Sequence, residues 1–440
     1  MSTKTGSASA IPRKVAAASM IGTTIEWYDY YIFGTAAVLV LNNQFFPTLD
    51  PAAATLASLA TFAVAFIARP FGGVIFGHFG DKYSRKKMLV WSLVLMGTST
   101  FVVGLLPNYD AIGIAAPIIL VALRFLQGLA VGGEWGGAVL MALEHAPANR
   151  RAFYSSWTQC GVPAALVLSS GIFFLMQKTP PEFFNTWGWR IPFLLSALLI
   201  VVGLFIRLRV SESPEFLKMK SDEKDVRVPF LEVFRSAKKP LILGSLAMAS
   251  PNIIFYICSV YMLSYGPGVV GVSRDVIFLS VIFAAFIQVF TIPLVATVAD
   301  RLGKKKILQA GAVAVAVLAY PVFLLVDTGE TLLIVLAMVL ALPVAHAMAY
   351  SVIASFIPEL FEPEVRFTGA SLAYQIGGII TSAPAPFLAA LLYTETGASW
   401  GIALYIAGAA LIGLLAITLG KERKTATAPK VEQLTHAQKI

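Results

Sequence analysis

The chain has 440 residues, of which 58% are hydrophobic and only 13% charged, with a net charge of +9 and a mean hydropathy of +0.78. About a quarter of the residues of a soluble domain are charged, so a water-soluble globular class is excluded. A nucleic-acid role is excluded with it, since that reading of a basic balance needs a basic face on a soluble domain.

The apolar residues fall into twelve runs, each long enough to cross a hydrocarbon core of ~30 Å. In chain order they are about 17–41, 52–79, 88–106, 111–143, 152–177, 191–209, 241–265, 275–299, 307–326, 331–357, 368–394 and 398–420. Barrel strands would be about ten residues long and alternate in polarity; these runs do neither. The expected fold is all-α and membrane-integral, with twelve transmembrane helices in two six-helix bundles. The expected layout is a tail (1–16), a first bundle (17–209), a central loop (210–239), a second bundle (240–420) and a second tail (421–440).

The first 14 residues are polar, and the first apolar run is too long for a cleavable signal and has no small-residue cleavage pattern. It is therefore expected to be a span. It carries Glu26, Asp29 and Tyr30 at helical spacing, able to share one face. Two neighbouring carboxylates in low dielectric do not both ionise easily, which suits a proton carrier. The plainer alternative is that one of them hydrogen-bonds an adjacent helix. The second run holds Arg69, just before Pro70 and Gly72-Gly73, as a structural cation or a substrate contact.

Between runs two and three lies Asp81-Lys-Tyr-Ser-Arg85-Lys-Lys87, and between runs eight and nine Asp300-Arg301-Leu-Gly-Lys-Lys-Lys306. The second copy follows the first by 219 residues (300 minus 81), almost half the chain. Such a repeat marks a duplicated bundle, and duplicated membrane bundles are usually transporters. Short basic turns face the cytoplasm. With cytoplasmic termini, 28 of the 33 Lys and Arg residues lie in cytoplasmic tails and loops. Lys178, Arg190 and Arg274 then lie outside, and Arg69 and Arg124 within spans.

In the fourth run Arg124, Gln127, Val131 and Glu134 fall within an arc of about 80°, and Gly128, Gly132 and Gly136 form a neighbouring stripe. A glycine stripe lets another helix approach closely, while the polar arc suits a cavity. Helical rise puts Arg124 and Asp29 both near the bilayer midplane. Two readings stand for them: a structural ion pair, or proton and substrate handling. All five of these buried charges (Glu26, Asp29, Arg69, Arg124, Glu134) lie in the first half. The second half offers uncharged polar groups, namely Asn252, Tyr256, Tyr261, Gln288, His346, Tyr350, Tyr374 and Gln375. Gln159 lies in span five.

Within the central loop, Ser213-Pro214-Glu215 reads as a helix start. Val228 to Phe234 reads as a helix lying on the membrane surface. Glu144 and Arg151 recur as Glu359 and Arg366, each pair seven residues apart at the inner end of span four or ten. With the two Asp-led loops they could hold a cytoplasmic gate of charge pairs between the halves; alternatively they only anchor loops. Its members would be Asp81, Arg85, Glu144, Arg151, Asp300, Arg301, Glu359 and Arg366. Cys160 and Cys258 both fall inside spans, which implies no disulfide framework. Four histidines and no nucleophile–base set or metal-ligand cluster speak against an enzyme, a metal or a cofactor.

The loop GHFGDKYSRKK (77–87) resembles the signature loop of the major facilitator superfamily, and Arg124-Phe-Leu-Gln127-Gly128 resembles its span-four motif. A closer resemblance, covering about residues 15–420, is to the metabolite:proton symporter family and especially its shikimate-type branch. It is carried by Glu26-Trp-Tyr-Asp29-Tyr, Ala-Arg69-Pro70-Phe-Gly-Gly73, Gly132-Gly-Glu134-Trp-Gly-Gly137, Trp187-Gly-Trp-Arg190, Glu212-Ser-Pro-Glu-Phe216 and Arg366-Phe-Thr-Gly369. The resemblance implies alternating-access import of a small polar metabolite with a proton, by a monomer in the bacterial cytoplasmic membrane. Coupling would involve Asp29, Glu26, Arg124 and Glu134. Substrate contacts would come from Arg124, Arg69, Gln127, Tyr30, Gln159, Tyr256, Tyr261, Gln288, Tyr350, Tyr374 and Gln375. A zwitterionic osmolyte is the alternative cargo, although the short tail lacks the heptads of such carriers. A non-transporting sensor would want a large soluble output domain. Ser84 stands where the superfamily prefers glycine, which implies a strained turn.

Overall fold

The computed structural model describes residues 10–82, 84–132, 134–208, 229–362 and 365–421. The helix start expected at Ser213-Pro214-Glu215 lies outside the described residues, as do the side chains of Asp81 and Arg85. Among the described residues, twelve long helices follow one another. They are α1 (Ala10–Ala36, continuing to Phe45), α2 (Pro51–Lys82), α3 (Arg85–Leu105), α4 (Ala115–Glu144), α5 (Ala148–Gln177) and α6 (Pro181–Leu208), then α7 (Lys238–Val270), α8 (Arg274–Leu302), α9 (Lys304–Asp327), α10 (Thr331–Glu359), α11 (Arg366–Thr396) and α12 (Trp400–Leu419). The last ten are long and apolar enough to cross a membrane on length and composition alone. They form two six-helix bundles. The short helix Pro229–Ser236 precedes α7, where the sequence led one to expect a surface helix.

Burial runs the way lipid demands. Phe71, Trp91, Leu294, Val317 and Leu332 are exposed, while Glu26, Asp29, Arg69, Arg124 and Glu134 are buried. Helices satisfy their own backbone groups, so apolar side chains can face hydrocarbon without penalty. The halves meet where α5 runs along α8 and α2 along α11.

The duplication is visible in how the basic loops work. Lys86 Nζ donates to the carbonyl of Leu208 at 2.8 Å, and Lys305 Nζ to those of Thr418 and Gly420 at 2.7 and 2.9 Å. Like the two aspartates that lead the loops, these lysines are 219 residues apart. Each cation meets the orphan carbonyls at the end of its bundle's last helix, where the dipole favours positive charge.

The loops differ at one position. Gly303 has φ of +101°, a conformation that suits glycine. Ser84 has φ of −178°, which is ordinary extended backbone, and its hydroxyl caps α3 by accepting from Lys87 N at 3.0 Å. The strain expected at Ser84 is therefore absent. Serine is a preferred N-cap and serves the helix start directly.

Three helices of the second bundle widen into π-helical turns near their centres: Ile257–Tyr261 in α7, Leu340–His346 in α10 and Gly378–Ser382 in α11. Pro343 explains the one in α10, because proline removes a donor from the ladder. Such turns redirect side chains and gather at functional sites. These three sit beside Tyr256, Tyr350 and Gln375.

Candidate functional site

The glycine stripe of α4 fixes the site's frame. A Cβ on Gly132 would lie 1.9 Å from the Arg69 carbonyl oxygen, and one on Gly128 2.3 Å from that of Ala65. Backbone therefore meets backbone between α2 and α4. Gly136, the next in the stripe, instead meets Ser371 of α11 in the other half.

With α2 seated there, the polar arc of α4 turns toward α1 and α3. Arg124 Nη1 donates to Gln127 Oε1 at 2.8 Å, and Gln127 Nε2 donates to Thr100 Oγ1 at 2.6 Å. Thr100 Oγ1 in turn lies 2.9 Å from Asp29 Oδ2. A buried carboxylate and a buried guanidinium are thus joined through two neutral side chains. The Arg124 guanidinium also lies over Phe33, 3.9 Å from the ring centroid. A cavity of about 10 Å³ is bounded by Glu26, Asp29, Arg69, Arg124 and Gln127, about the room one water needs.

Arg69 stands on the same cavity inside an aromatic cage, 4.5 Å from the Phe66 ring, 4.8 Å from Tyr30 and 5.6 Å from Trp27. Cation–π contacts in a dry site offset part of the desolvation cost of the guanidinium. Asp29 Oδ1 and Glu26 Oε2 find no hydrogen-bond donor among the described residues.

Glu134 points elsewhere, into an ion pair with Arg207 of α6; Arg207 also donates to the Leu89 carbonyl. Arg207 is buried, at 8% exposure. It makes the charge balance close. Among the described side chains, the buried charges of the first bundle are Glu26, Asp29 and Glu134 against Arg69, Arg124 and Arg207, three of each sign. The five recognised from sequence alone would leave one carboxylate uncompensated, which low dielectric penalises. A signal existed in the pattern of α6, where the buried residues Ser196, Gly203 and Arg207 follow one helical face.

Of the second-half candidates, Tyr256, Tyr350, Tyr374 and Gln375 meet first-bundle residues, while Asn252, Gln288, His346 and Tyr261 make their contacts within the second bundle. Trp135 stacks on Tyr374 at 3.9 Å and 12° and donates its Nε1 to Gln159 Oε1 at 3.1 Å. Gln159 reaches the Tyr350 carbonyl at 3.4 Å, and the Tyr350 and Tyr374 hydroxyls lie 3.3 Å apart. Gln375 Nε2 donates to the Gly132 carbonyl at 3.3 Å. Tyr256 meets Phe66 of the first bundle edge to face, with ring centroids 6.4 Å apart. Gln288 and His346 contact each other at 2.5 Å, and His346 stacks on Tyr350. Tyr261 packs against Tyr265, also within its own bundle. Trp135, Thr100 and Lys304 belong to these constellations and were not singled out from sequence. Their types (an aromatic, a hydroxyl, one lysine among three) carry no distinguishing pattern.

On the face that carries the basic loops, Asp300 of α8 accepts from Ala152 N and Phe153 N, both at 2.9 Å. It therefore caps α5 across the interface between halves. Glu359 pairs with Lys304 at 2.5 Å within the second bundle. Arg366 is buried, Arg301 is exposed, and Glu144 and Arg151 are part-exposed at the ends of α4 and α5.

Comparison with known proteins bears on this geometry. A sequence model of the Major Facilitator Superfamily matches residues 19–383. The chain belongs to the major facilitator superfamily. Within it, the chain is a member of the metabolite:proton symporter family. It is 40% identical over 417 residues to the inner membrane metabolite transport protein YhjE of Escherichia coli (strain K12), covering 93% of this chain and 94% of the relative. It is 36% identical over 419 residues to the shikimate transporter of the same organism, covering 94% and 95%. The fold is that of the superfamily's proton:xylose symporter XylE, solved with 6-bromo-6-deoxy-D-glucose. The TM-score is 0.76 at 18% identity, over 97% of this chain and 99% of that one. As a superfamily member the chain is a multi-pass membrane transporter and not an enzyme.

Proposed function

We propose that this transporter imports a small polar metabolite, an organic acid of the shikimate or mono- or dicarboxylate kind, together with a proton. The observation that carries the reading is the joined pair Asp29 and Arg124, buried beside a water-sized cavity. A carboxylate there can take a proton, and doing so changes the charge seen by Arg124 and Arg69. Two guanidiniums on one cavity suit an anionic cargo, which Arg grips with paired hydrogen bonds. The family relation to a shikimate transporter supports the same class.

In this reading the first bundle (17–209) carries coupling through Asp29, Glu26, Arg124 and Glu134. Gln127, Tyr30, Gln159, Tyr256, Gln288, Tyr350, Tyr374 and Gln375 line the cargo's path, with Tyr261 further out. The basic loops, both tails (1–16 and 421–440) and the central segment (210–239) face the cytoplasm of a bacterial cell, as the positive-inside rule requires. Asp300, Glu144, Arg151, Glu359 and Arg366 with Asp81, Arg85 and Arg301 close that face, and the monomer is the working unit.

The test is uptake of shikimate, protocatechuate, α-ketoglutarate, citrate, proline and betaine into vesicles, with and without an imposed pH gradient. Gradient-driven uptake of an acid, abolished by Asp29→Asn while exchange persists, is the expected result. Uptake indifferent to the gradient or to Asp29→Asn overturns symport. Uptake confined to proline and betaine assigns the zwitterionic cargo instead.

A further inference from the structure

Three buried donors stand together without an acceptor. Arg69 Nε, Trp27 Nε1 and the Tyr31 hydroxyl find no hydrogen-bond partner among the described residues. Their residues are 4%, 5% and 6% exposed. The Trp27 ring lies 5.6 Å from the Arg69 guanidinium carbon and 5.5 Å from the Tyr31 ring. Buried polar groups are ordinarily satisfied, and a guanidinium and an indole can only donate. The cluster therefore calls for an acceptor from outside the chain. Glu26 and Asp29 bound the same cavity as Arg69, yet neither forms an ion pair with it among the described residues. A water can serve one donor, whereas a carboxylate matches the charge and the fork of a guanidinium. The other buried arginines of this bundle are already engaged, Arg124 with Gln127 and Arg207 with Glu134.

The cage around Arg69 reaches the other bundle. Phe66 meets Tyr256 of α7 with ring centroids 6.4 Å apart, and Tyr31 meets Phe255 of α7 at 6.3 Å. Phe255 lies 4.9 Å from His346 of α10, which stacks on Tyr350 at 4.8 Å and 25°. Rings of the two halves thus continue one another from the Arg69 cage into α10. The path between the bundles is shut at both faces, by Asp300 against α5 and by Lys178 on Asp275, so these rings pack on each other. When the bundles part at this level, the surfaces that separate are aromatic on both sides. A flat ring suits such surfaces because it repeats the contacts they make with each other. A chain acid offers no such contact. A second carboxylate would also need a second free cation, and burying a charge unpaired is costly.

We propose that the cargo is an aromatic monocarboxylate, an acid of the benzoate type. Its carboxylate is held by Arg69, with Trp27 and Tyr31 donating to the same ligand. Its ring lies between Tyr31 and Phe66 of the first bundle and Phe255 and Tyr256 of the second. The inference rests on the organic-acid reading above and narrows it, selecting protocatechuate over shikimate, α-ketoglutarate and citrate. One carboxylate taken with one proton brings no net charge into a dry site, which suits the coupling in that reading.

The test is titration calorimetry on the purified full chain at neutral pH, where every acid of the set is ionised. Benzoate should bind about tenfold more tightly than cyclohexanecarboxylate, which has the same carboxylate and number of carbons but no aromatic face. Benzamide and succinate should bind about a hundredfold more weakly than benzoate, the first lacking the charge and the second the ring. Arg69→Gln should weaken benzoate binding about a hundredfold, and Arg69→Lys, which keeps the charge without the fork, about tenfold. Should the arginine variants fold poorly, Tyr31→Phe keeps every ring and should weaken benzoate about fivefold. Phe255→Leu should bring benzoate and cyclohexanecarboxylate to within about twofold of each other. Equal affinity for those two acids in the unaltered protein overturns the inference, as does tighter binding of succinate, α-ketoglutarate or citrate. Benzoate binding indifferent to Arg69→Lys and Tyr31→Phe overturns it as well. Gradient-driven uptake of citrate without benzoate binding sinks the aromatic cargo and leaves symport standing. Benzoate binding that obeys these variants, with uptake indifferent to the gradient, upholds the cargo and sinks symport. Binding of proline and betaine alone sinks both.

Discussion

Replacing Asp300 with alanine should tip the transporter toward the arrangement open on the basic face. Both carboxylate oxygens accept backbone N–H groups at the first turn of α5, at 2.9 Å each. Hydrogen bonds to a charged group contribute about 1.5–3 kcal/mol each when buried, and a carboxylate at a helix N-terminus adds about 0.3–1 kcal/mol. Asp300 is only part-buried and regains hydration when the contact opens, so the net loss is about 2 kcal/mol. At 1.4 kcal/mol per decade that is roughly a thirtyfold change in the closed-to-open ratio. Spin labels at Asn149 and Glu362, exposed on opposite halves of this face, report the ratio as a distance distribution. Both native cysteines are buried and should leave the labelling clean. Asp300→Asn keeps one acceptor and should fall between. The opposite face supplies a control of reversed sign. Lys178 and Asp275 link α5 to α8 there at 2.9 Å, with side chains 56% and 57% exposed, so Lys178→Ala should shift the ratio the other way by no more than about 1 kcal/mol. An unchanged distribution in Asp300→Ala, or the same shift from both faces, refutes the latch.

Gly132→Ala sets a Cβ against the backbone oxygen of Arg69 and should cost about 1–3 kcal/mol or more through overpacking, read as a lower Tm in detergent. Gly171→Ala, with nothing within 4 Å of its Cβ, should instead gain about 0.5–1 kcal/mol as a helix-interior replacement. Ser84→Ala should destabilise by about 1 kcal/mol and Ser84→Gly by only a few tenths, contrary to what relief of a strained turn would give. Lys86→Ala and Lys305→Ala should each lower Tm by a similar small amount, about 0.3–1 kcal/mol; a large effect from one alone would deny that the repeated lysines do the same work.

Sequence reveals this fold readily because lipid simplifies the code. Spans must be long, apolar and helical, and Lys and Arg must crowd one side. All twelve runs correspond to long helices, with ends displaced by a few residues. α6 moved most, starting at Pro181 rather than near 191. The reason lies in Arg190, which was read as an external loop cation. It donates to the carbonyls of Gly104 and Leu106 at 2.9 and 2.8 Å and so belongs to the packing of α3 on α6. Charges near a span's end are where pattern reading fails, since an Arg can serve the loop or turn inward on the same sequence. Arg207 turned inward. Direction within a helix was more legible: the arc Arg124, Gln127, Val131 does bound one cavity, because helical period alone sets which residues share a side. The partner of each could not be read, since Glu134 on that arc reaches Arg207, which is distant in sequence.

The uneven split of polar groups follows from this arrangement. Six buried ionisable groups, three of each sign, offset one another within one bundle, which lowers the cost of burying each of them. Between the bundles, uncharged Gln and Tyr groups provide contacts that break at modest cost, which suits the cargo path proposed above. The stripe Gly128, Gly132, Gly136 joins the two regions physically. Its first two members seat α2, and with it Arg69, against α4, while the third touches Ser371 across the interface. α4 thus touches both the buried charges of the first bundle and α11 of the second. Trp135, one residue after Glu134 and stacked on Tyr374, stands at that junction.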